Sequence, residues 1–536
     1  MRVLDKKAPP AHKMQGGQPT EKQPAQGFTF PAPIRGWVLN ENLANVGPAS
    51  ARILDNWVCT TTGIRPRGGA SKYATLPAAC RSLMTYRAAT SKFIAATDTG
   101  IYDITSPASP TTVPSAAVSG RTNGYYSSAN FGTAGGNFLY AVNGVDSPLL
   151  FDGSTWTTIT GVSTPAITGV TTSNLINVWS FANRLFFVEK NSMNAWYLPV
   201  DSIGGAANSF SLAGVFTRGG YLLFGGKWSM DAGDGMDDKC VFVSSEGEVA
   251  IYQGTNPGSA ADWSLAGIYF MPKPMGRNAY INAGGDLLVA TESGLIPVSA
   301  SVNTDIGAIE TKAVSQQIAS YWQSKGKSLI QLGWEIIKAP GSGIMVVSQP
   351  DTSGVTTTCL VTNLVTGAWS RFTGWDTRCL GSYLSNGYFG AADSCVYLMD
   401  SGGSDGGAVY TAAYLGQFES MGVYGQAKSI RQMRAMFQTG SPISPQLRGK
   451  ADFDEVLSSP PSSPANYTAD AWDSGVWDTA IWDAASSTHT DASWVSVGVT
   501  GRMIAPELQL TFGITPTPQV ELVAIDVQYH VGASVT

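Results

Sequence analysis

The chain has 536 residues, with 33 Lys and Arg against 39 Asp and Glu, a formal net charge of −6. Only 13% of its residues are charged, about half the ~25% of ordinary soluble domains. This balance argues against a surface built to grip nucleic acid, and the length exceeds what one hydrophobic core serves, so several domains or a repeat are expected.

Residues 1–27 hold five bases, two acids, several prolines and no apolar period, and read as a flexible N-terminal arm that orders only against a partner. They lack an apolar leader region, and no 18-residue apolar run follows anywhere, so neither a signal peptide nor a membrane span is expected. Residues 28–85 form an N-terminal platform segment. Within it GPASARILDNW predicts a short helix with Pro48 in its first turn, and RPRGG, Arg65 to Gly69, predicts a turn. Six cysteines (Cys59, Cys80, Cys240, Cys359, Cys379, Cys395) show no CxxC spacing. They read as free, mostly buried thiols of a cytosolically made protein.

From residue 86 to 404 a repeat takes over. Apolar runs that open a turn begin at Phe93, Phe138, Leu185, Val241, Leu287, Ile344 and Tyr388, at intervals of 45, 47, 56, 46, 57 and 44 residues. The clearest, KCVFVSSEGEVAIYQG from Lys239 to Gly254, is two β-rich runs around a Gly-containing turn, the pattern of a hairpin. Spacing of this order in β-rich text fits four-stranded propeller blades, six or seven of them. A long β-sandwich with spaced hairpins is the competing architecture. Thr304 to Gln323 breaks the pattern: its apolar residues recur at helical spacing and predict an amphipathic helix on the outside of the ring.

Residues 405–536 lose the period but stay β-rich, and predict a C-terminal sandwich-like tip or platform domain. KSIRQMRAMFQT (Lys428 to Thr439), MIAPELQLTFGI and VELVAIDVQYHV read as strands, and SSPPSSPANYTAD as a loop. This region carries 13 acids against 6 bases. The fold class expected is therefore all-β, a propeller with β-rich flanks.

Candidate chemistry is sparse. The histidines are His12, His489 and His530. No nucleophile motif such as GxSxG accompanies them, which leaves a Ser-His-Asp or Cys-His centre without support. Asp231, Asp234, Asp237 and Asp238 in DAGDGMDD offer clustered oxygen ligands for a hard cation, although the spacing departs from an EF-hand loop. A capped turn leading into the hairpin is the alternative. Trp472, Trp477 and Trp482, each followed by Asp, recur every five residues, which puts successive rings on opposite faces of a strand. They suit ring anchors or protein docking better than a sugar platform. Paired carboxylates for glycoside hydrolysis remain open, since acids are plentiful.

The run DAGDGMDDKCVFVSSEGEVAIYQGTNPGSAADWSLAGIYFMPKPMGR resembles the signature region of tail-nozzle, or packaged-DNA stabilisation (tail hub), proteins of short-tailed bacteriophages. RILDNWVCTTTGIRPRGG, AVNGVDSPLLFDGSTW, RLFFVEKNSMNAWYLPVDSIGG, LVTNLVTGAWSRFTGW and the Trp-Asp segment extend the likeness, in order, over most of the chain beyond residue 30. The resemblance implies a propeller flanked by platform and tip domains, and a hexameric ring of identical subunits below the head–tail adaptor. Such a ring retains packaged DNA and conducts it, without sequence-specific binding, during ejection. Its partners would be other copies of the chain, the adaptor and a tail fibre or spike, in a virion tail assembled in the host cytoplasm. The resemblance carries over no catalytic residue, cofactor or metal, and the expectation is a structural protein rather than an enzyme. A conduit must not hold what passes through it, so the acids of residues 405–536 are expected to face the DNA channel, with solubilisation of the outer face of an exposed tip as the alternative. The alternative function is a carbohydrate-active or glycan-binding propeller of a phage tail.

Overall fold

The computed structural model describes residues 25–39, 47–229, 238–328, 333–440, 443–463, 489–513 and 516–532. Each of the seven hairpins found in the sequence forms the second and third strands of a blade. Blade 1 is Ser82–Tyr86, Lys92–Ala96, Gly100–Asp103 and Ala116–Ser119. Blade 2 runs from Ser127–Thr133 to Trp156–Thr158, blade 3 from Leu175–Phe181 to Asn208–Ser211, and blade 4 from Leu222–Trp228 to Ser264–Phe270. Among the described residues blade 5 has three strands, Tyr280–Ala283, Asp286–Thr291 and Gly294–Pro297. Blade 6 begins at Glu335–Ala339, continues through Ile344–Ser348 and Thr356–Asn363, and ends on the first half of Trp369–Tyr383. The second half of that 15-residue strand opens blade 7, followed by Asn386–Ala391 and Cys395–Leu398.

Blade 7 takes its fourth strand from far upstream, as Ser71–Thr75 pairs antiparallel with Cys395–Leu398. Blade 7 then meets blade 1 through Trp369–Tyr383 and Ser82–Tyr86, which closes a ring of seven. In the second and third strands consecutive residues are buried, as in Val241, Phe242 and Val243 or Val249, Ala250 and Ile251. Neighbouring blades cover a blade on both faces, so these strands carry apolar runs instead of alternation. At Gly390 a Cβ would lie 2.5 Å from the Cys80 Cβ and 2.7 Å from the Cys379 Sγ. The missing side chain makes room for two thiols at the seam between blades 7 and 1.

The flanking domain is a two-layer sandwich that draws on both ends of the described chain. One sheet centres on Val520–Val531, paired along one edge with Lys428–Thr439 and along the other with Gln26–Pro31 and Ile64–Pro66. The other contains Ala51–Asp55, Tyr410–Gly416, Ile504–Phe512 and Gln446–Ala451. Met433, Phe437, Ile525 and Val527 of the first sheet share a core with Leu54, Tyr414, Leu508 and Leu510 of the second. Asp55 also bridges to Arg371, in parallel register, so a single sheet runs from blade 6 into this domain.

Several expectations are corrected. Residues 28–85 build no platform of their own, because their strands complete the sandwich, close blade 7 and open blade 1. Gln26 and Gly27, assigned to the arm, belong to the edge strand on Val520–Val531. GPASARILDNW contains no helix: Ala51–Asp55 is a strand, with Ala51 and Leu54 buried against distant partners that override the local pattern. RPRGG is no simple turn, since Arg65 and Pro66 lie in a strand and Gly68 and Gly69 run in contact with the backbone of Asp400 and Ser404. Thr304 to Gln323 is not one helix but the 3₁₀ turns Ile309–Lys312 and Gln316–Ile318, followed by the helix Ala319–Gly326. Its carbonyls are claimed from outside: the Trp369 indole donates to Val314 O and the Leu39 N–H to Gln317 O. Ile309 and Ala313 join the core of blades 4 and 5, whereas Ile318 and Trp322 join that of the flanking domain. The segment is a wedge between propeller and sandwich.

Candidate functional site

The junction between propeller and sandwich is where the sequence concentrates its strongest polar contacts. Arg67 has a fully buried side chain that uses all five of its N–H groups. Nη1 and Nη2 donate to the two carboxylate oxygens of Asp405 at 2.8 and 2.6 Å, Nε donates to Asn56 Oδ1, and the remaining two reach Gly68 O and Thr373 O. The guanidinium lies 4.1 Å from the ring centroid of Tyr410 and 4.7 Å from that of Trp375. Two further forked pairs flank it. Arg65 grips Asp400 at 3.1 and 2.7 Å, and Arg371 grips Asp55 at 2.5 and 2.8 Å. Burial works to raise the Asp400 carboxyl, but the Arg65 guanidinium and the Gly68 N–H outweigh it and hold it below the ordinary aspartate range. At Asp55 burial prevails over Arg371 and pushes the carboxyl up. Planar forks fix orientation as well as distance, and these three tie the N-terminal strands to blades 6 and 7 and to the loop that leads into the sandwich.

The propeller axis is closed at one end. Arg277, just before blade 5, donates to Asn143 O in blade 2 at 3.1 Å and to Tyr125 O, and the Asn278 amide donates to Tyr126 O at 3.1 Å. Blades 2 and 5 stand nearly opposite in a ring of seven, so these bonds cross the axis. Gly276 and Gly333, both with φ in the left-handed half, let the chain segments before blades 5 and 6 touch, since a Cβ on Gly276 would lie 3.2 Å from the Gly333 Cα. Glu335 sits inside this closure. Its Oε2 accepts the Leu380 N–H at 2.7 Å, and burial raises its carboxyl to about 7 despite that bond, Asn278 and Arg277. A cavity of about 230 Å³ lies beside it, lined by Ser82, Ser127, Ser128, Asn278 and Tyr280 among others. A second, of about 690 Å³, faces the other mouth, and the two share Ile336 and Ile337.

Of the residues singled out in the sequence, Asp231, Asp234 and Asp237, His12, and Trp472, Trp477 and Trp482 lie outside the described residues. Asp238 is described and forms an ion pair with Lys227 at 2.7 Å. His489 begins a strand against Lys428–Thr439, and His530 lies opposite Ser429. Among the described residues no group of three or more His, Cys, Asp or Glu is placed to hold a metal ion. All six cysteines are free and buried. Sequence reasoning missed Arg67, Asp405 and Glu335, whose partners are hundreds of positions away or on other blades.

These features define a seven-bladed propeller locked to a discontinuous β-sandwich, with a polar axial channel closed at one end. No family model matches the chain, and no curated protein does. Solved structures similar to it include YCF48 from Cyanidioschyzon merolae, at 12% identity over 62% of this chain and 98% of that one, with a TM-score of 0.37. The β-propeller domain of Cps50 (Swd1) from Myceliophteria thermophila is 7% identical over 62% and 99%, with a TM-score of 0.38. BamB from Moraxella catarrhalis is 11% identical over 62% and 98%, with a TM-score of 0.34. The similarity is one of fold alone.

Proposed function

We propose that this chain is a structural virion protein, a tail nozzle or hub whose copies form a ring below the head–tail adaptor and conduct DNA between them. The observation that carries the reading furthest is the junction: one continuous sheet and three forked Arg–Asp pairs make propeller and sandwich a single stiff unit. A subunit that must hold pressurised DNA needs fixed geometry between its parts more than it needs a cleft. The motif likeness around Lys239 to Gly254 supplies the biological context. DNA would pass between copies, because the axial cavities of one propeller are of small-molecule size and one end is bridged by Arg277.

The acidic lumen belongs to this proposal in narrower form. Asp405, Glu507 and Asp526 are engaged within the chain, with Arg67, Lys450 and Arg434. Asp454 and Glu455 are likewise paired, with Lys450 and Arg52, and Asp452 accepts the Arg502 and Met503 N–H groups. The acids on which this part of the proposal then chiefly calls, Asp470, Asp473, Asp478 and Asp483, lie outside the described residues. Electron microscopy of the purified full chain, alone and with its adaptor, tests the reading. Closed rings that seat on the adaptor are expected. A protein that stays monomeric beside the adaptor, or that releases reducing ends from host envelope polysaccharide, overturns it in favour of a glycan-active propeller.

A further inference from the structure

The open mouth of the propeller axis is basic and uncompensated. The cavity of about 690 Å³ is walled by the first strands of blades 1, 5, 6 and 7 and by their turns, through Arg87, Asn282, Lys338, Ser382, Ser385 and neighbours. Its lining holds two cations and no carboxylate. The Lys338 ammonium donates to Asn282 O, and Arg87 makes no ion pair among the described residues. Burial pushes Lys338 down, with no acid to offset it. The Ser382 and Ser385 hydroxyls and the Asn282 amide form no hydrogen bond of their own among the described residues, whereas the Thr85 hydroxyl is spent on Ser382 O at 2.6 Å. Apart from Ser91, whose hydroxyl donates to Ala88 O at 3.3 Å, the rest of the wall is apolar, with Ile281, Ile336, Pro340, Tyr383 and Leu384, the last 68% exposed at the rim.

We infer that this mouth is a binding site for a small phosphorylated ligand, its phosphate held by Lys338 and Arg87 and its organic body resting on the apolar wall. Two cations together with hydroxyl and amide donors, drawn from four blades, line the one cavity. That suits a tetrahedral oxyanion, which offers acceptors in every direction, better than a planar carboxylate. The volume is that of a small-molecule pocket and too small for a folded partner. The inference stands apart from the structural role proposed above, since a ring-forming subunit need not bind any small molecule.

Calorimetric titration of the full chain with inorganic phosphate, a hexose phosphate and a nucleoside 5′-monophosphate tests it. Each is compared at low and high salt and against its unphosphorylated parent. One of the organic phosphates is expected to bind more tightly than inorganic phosphate, and which one does identifies the source of the phosphate. Binding should weaken with salt. It should also fall by about tenfold or more in Lys338→Gln with Arg87→Gln, while the melting of the free protein stays unchanged. Should Lys338→Gln unfold blade 6, Arg87→Gln alone, on an exposed turn, must still weaken binding. Failure of all three probes to bind at millimolar concentration, equal binding of the unphosphorylated parents, or binding that survives the substitutions overturns the inference.

Discussion

Arg67 shows how one side chain can decide whether two bodies stay together. Replacing it with Met keeps much of its length but leaves Asp405, whose side chain is 11% exposed, without its fork. Breaking a buried pair from one side costs about 3–5 kcal/mol, because the remaining charge stays desolvated. Denaturant unfolding of Arg67→Met should show a loss of that order, and a loss below about 1 kcal/mol would mean that the fork is dispensable. Glu335 works in the opposite direction. Its carboxyl titrates at about 7 in the fold against an ordinary 4.5, so between those values the native state holds a proton that the unfolded chain has released. Stability therefore falls as pH rises through that window, by on the order of 3 kcal/mol, and stays low above it. Glu335→Gln can still accept the Leu380 N–H and cannot ionise. The variant should gain stability over the native chain at about pH 8 and lose that advantage near pH 5; a difference that does not change with pH would contradict the assignment.

At the scale of elements, the seam between blades 7 and 1 is where the last and first blades of the ring meet. Cys80 stands just before blade 1 and Cys379 in the first strand of blade 7, with their sulfurs 3.5 Å apart and both side chains inaccessible. Burial raises the Cys379 thiol well above its usual range, which suppresses the reactive thiolate. Pulsed alkylation across a denaturant series should therefore label both thiols together, and only in the step that unfolds the ring. Labelling well before that step would show the seam to be a separately opening gate. The hairpins themselves are plain in the sequence because each blade buries its second strand on both faces, which writes seven apolar runs into the text. The wedge after blade 5 departs from the single helix that its sequence predicts for a related reason. Its apolar residues do follow helical spacing, yet Ile309 and Trp322 serve two different cores, and a straight helix cannot face both.

On the scale of the whole molecule, what the sequence hid is anything assembled from distant pieces. Lys428 to Thr439 was legible as a strand, to the residue, while its place in a sandwich completed by Gln26–Pro31 and Ile64–Pro66 was not. Composition and period say nothing about which strands will meet, and the polar sites follow the same rule: Asp405 finds Arg67 across 338 positions. Legibility stops at the range over which neighbouring residues constrain each other.

The strand Ser71–Thr75 that closes blade 7 has a consequence for how the protein is made. Thr75 must wait for Cys395, 320 positions later, and Thr29 waits for Asp526, 497 positions later. On a ribosome the early strands emerge long before their partners exist, and contacts of such long range form late and slowly. Blades 1 to 5 can stack as they appear, but the ring shuts and the junction locks only after the sandwich strands have been translated. A chain whose synthesis stops short is left as an open arc with bare strand edges. Closure acts as proofreading of the nascent chain, because only a finished chain reaches the fixed geometry between propeller and sandwich.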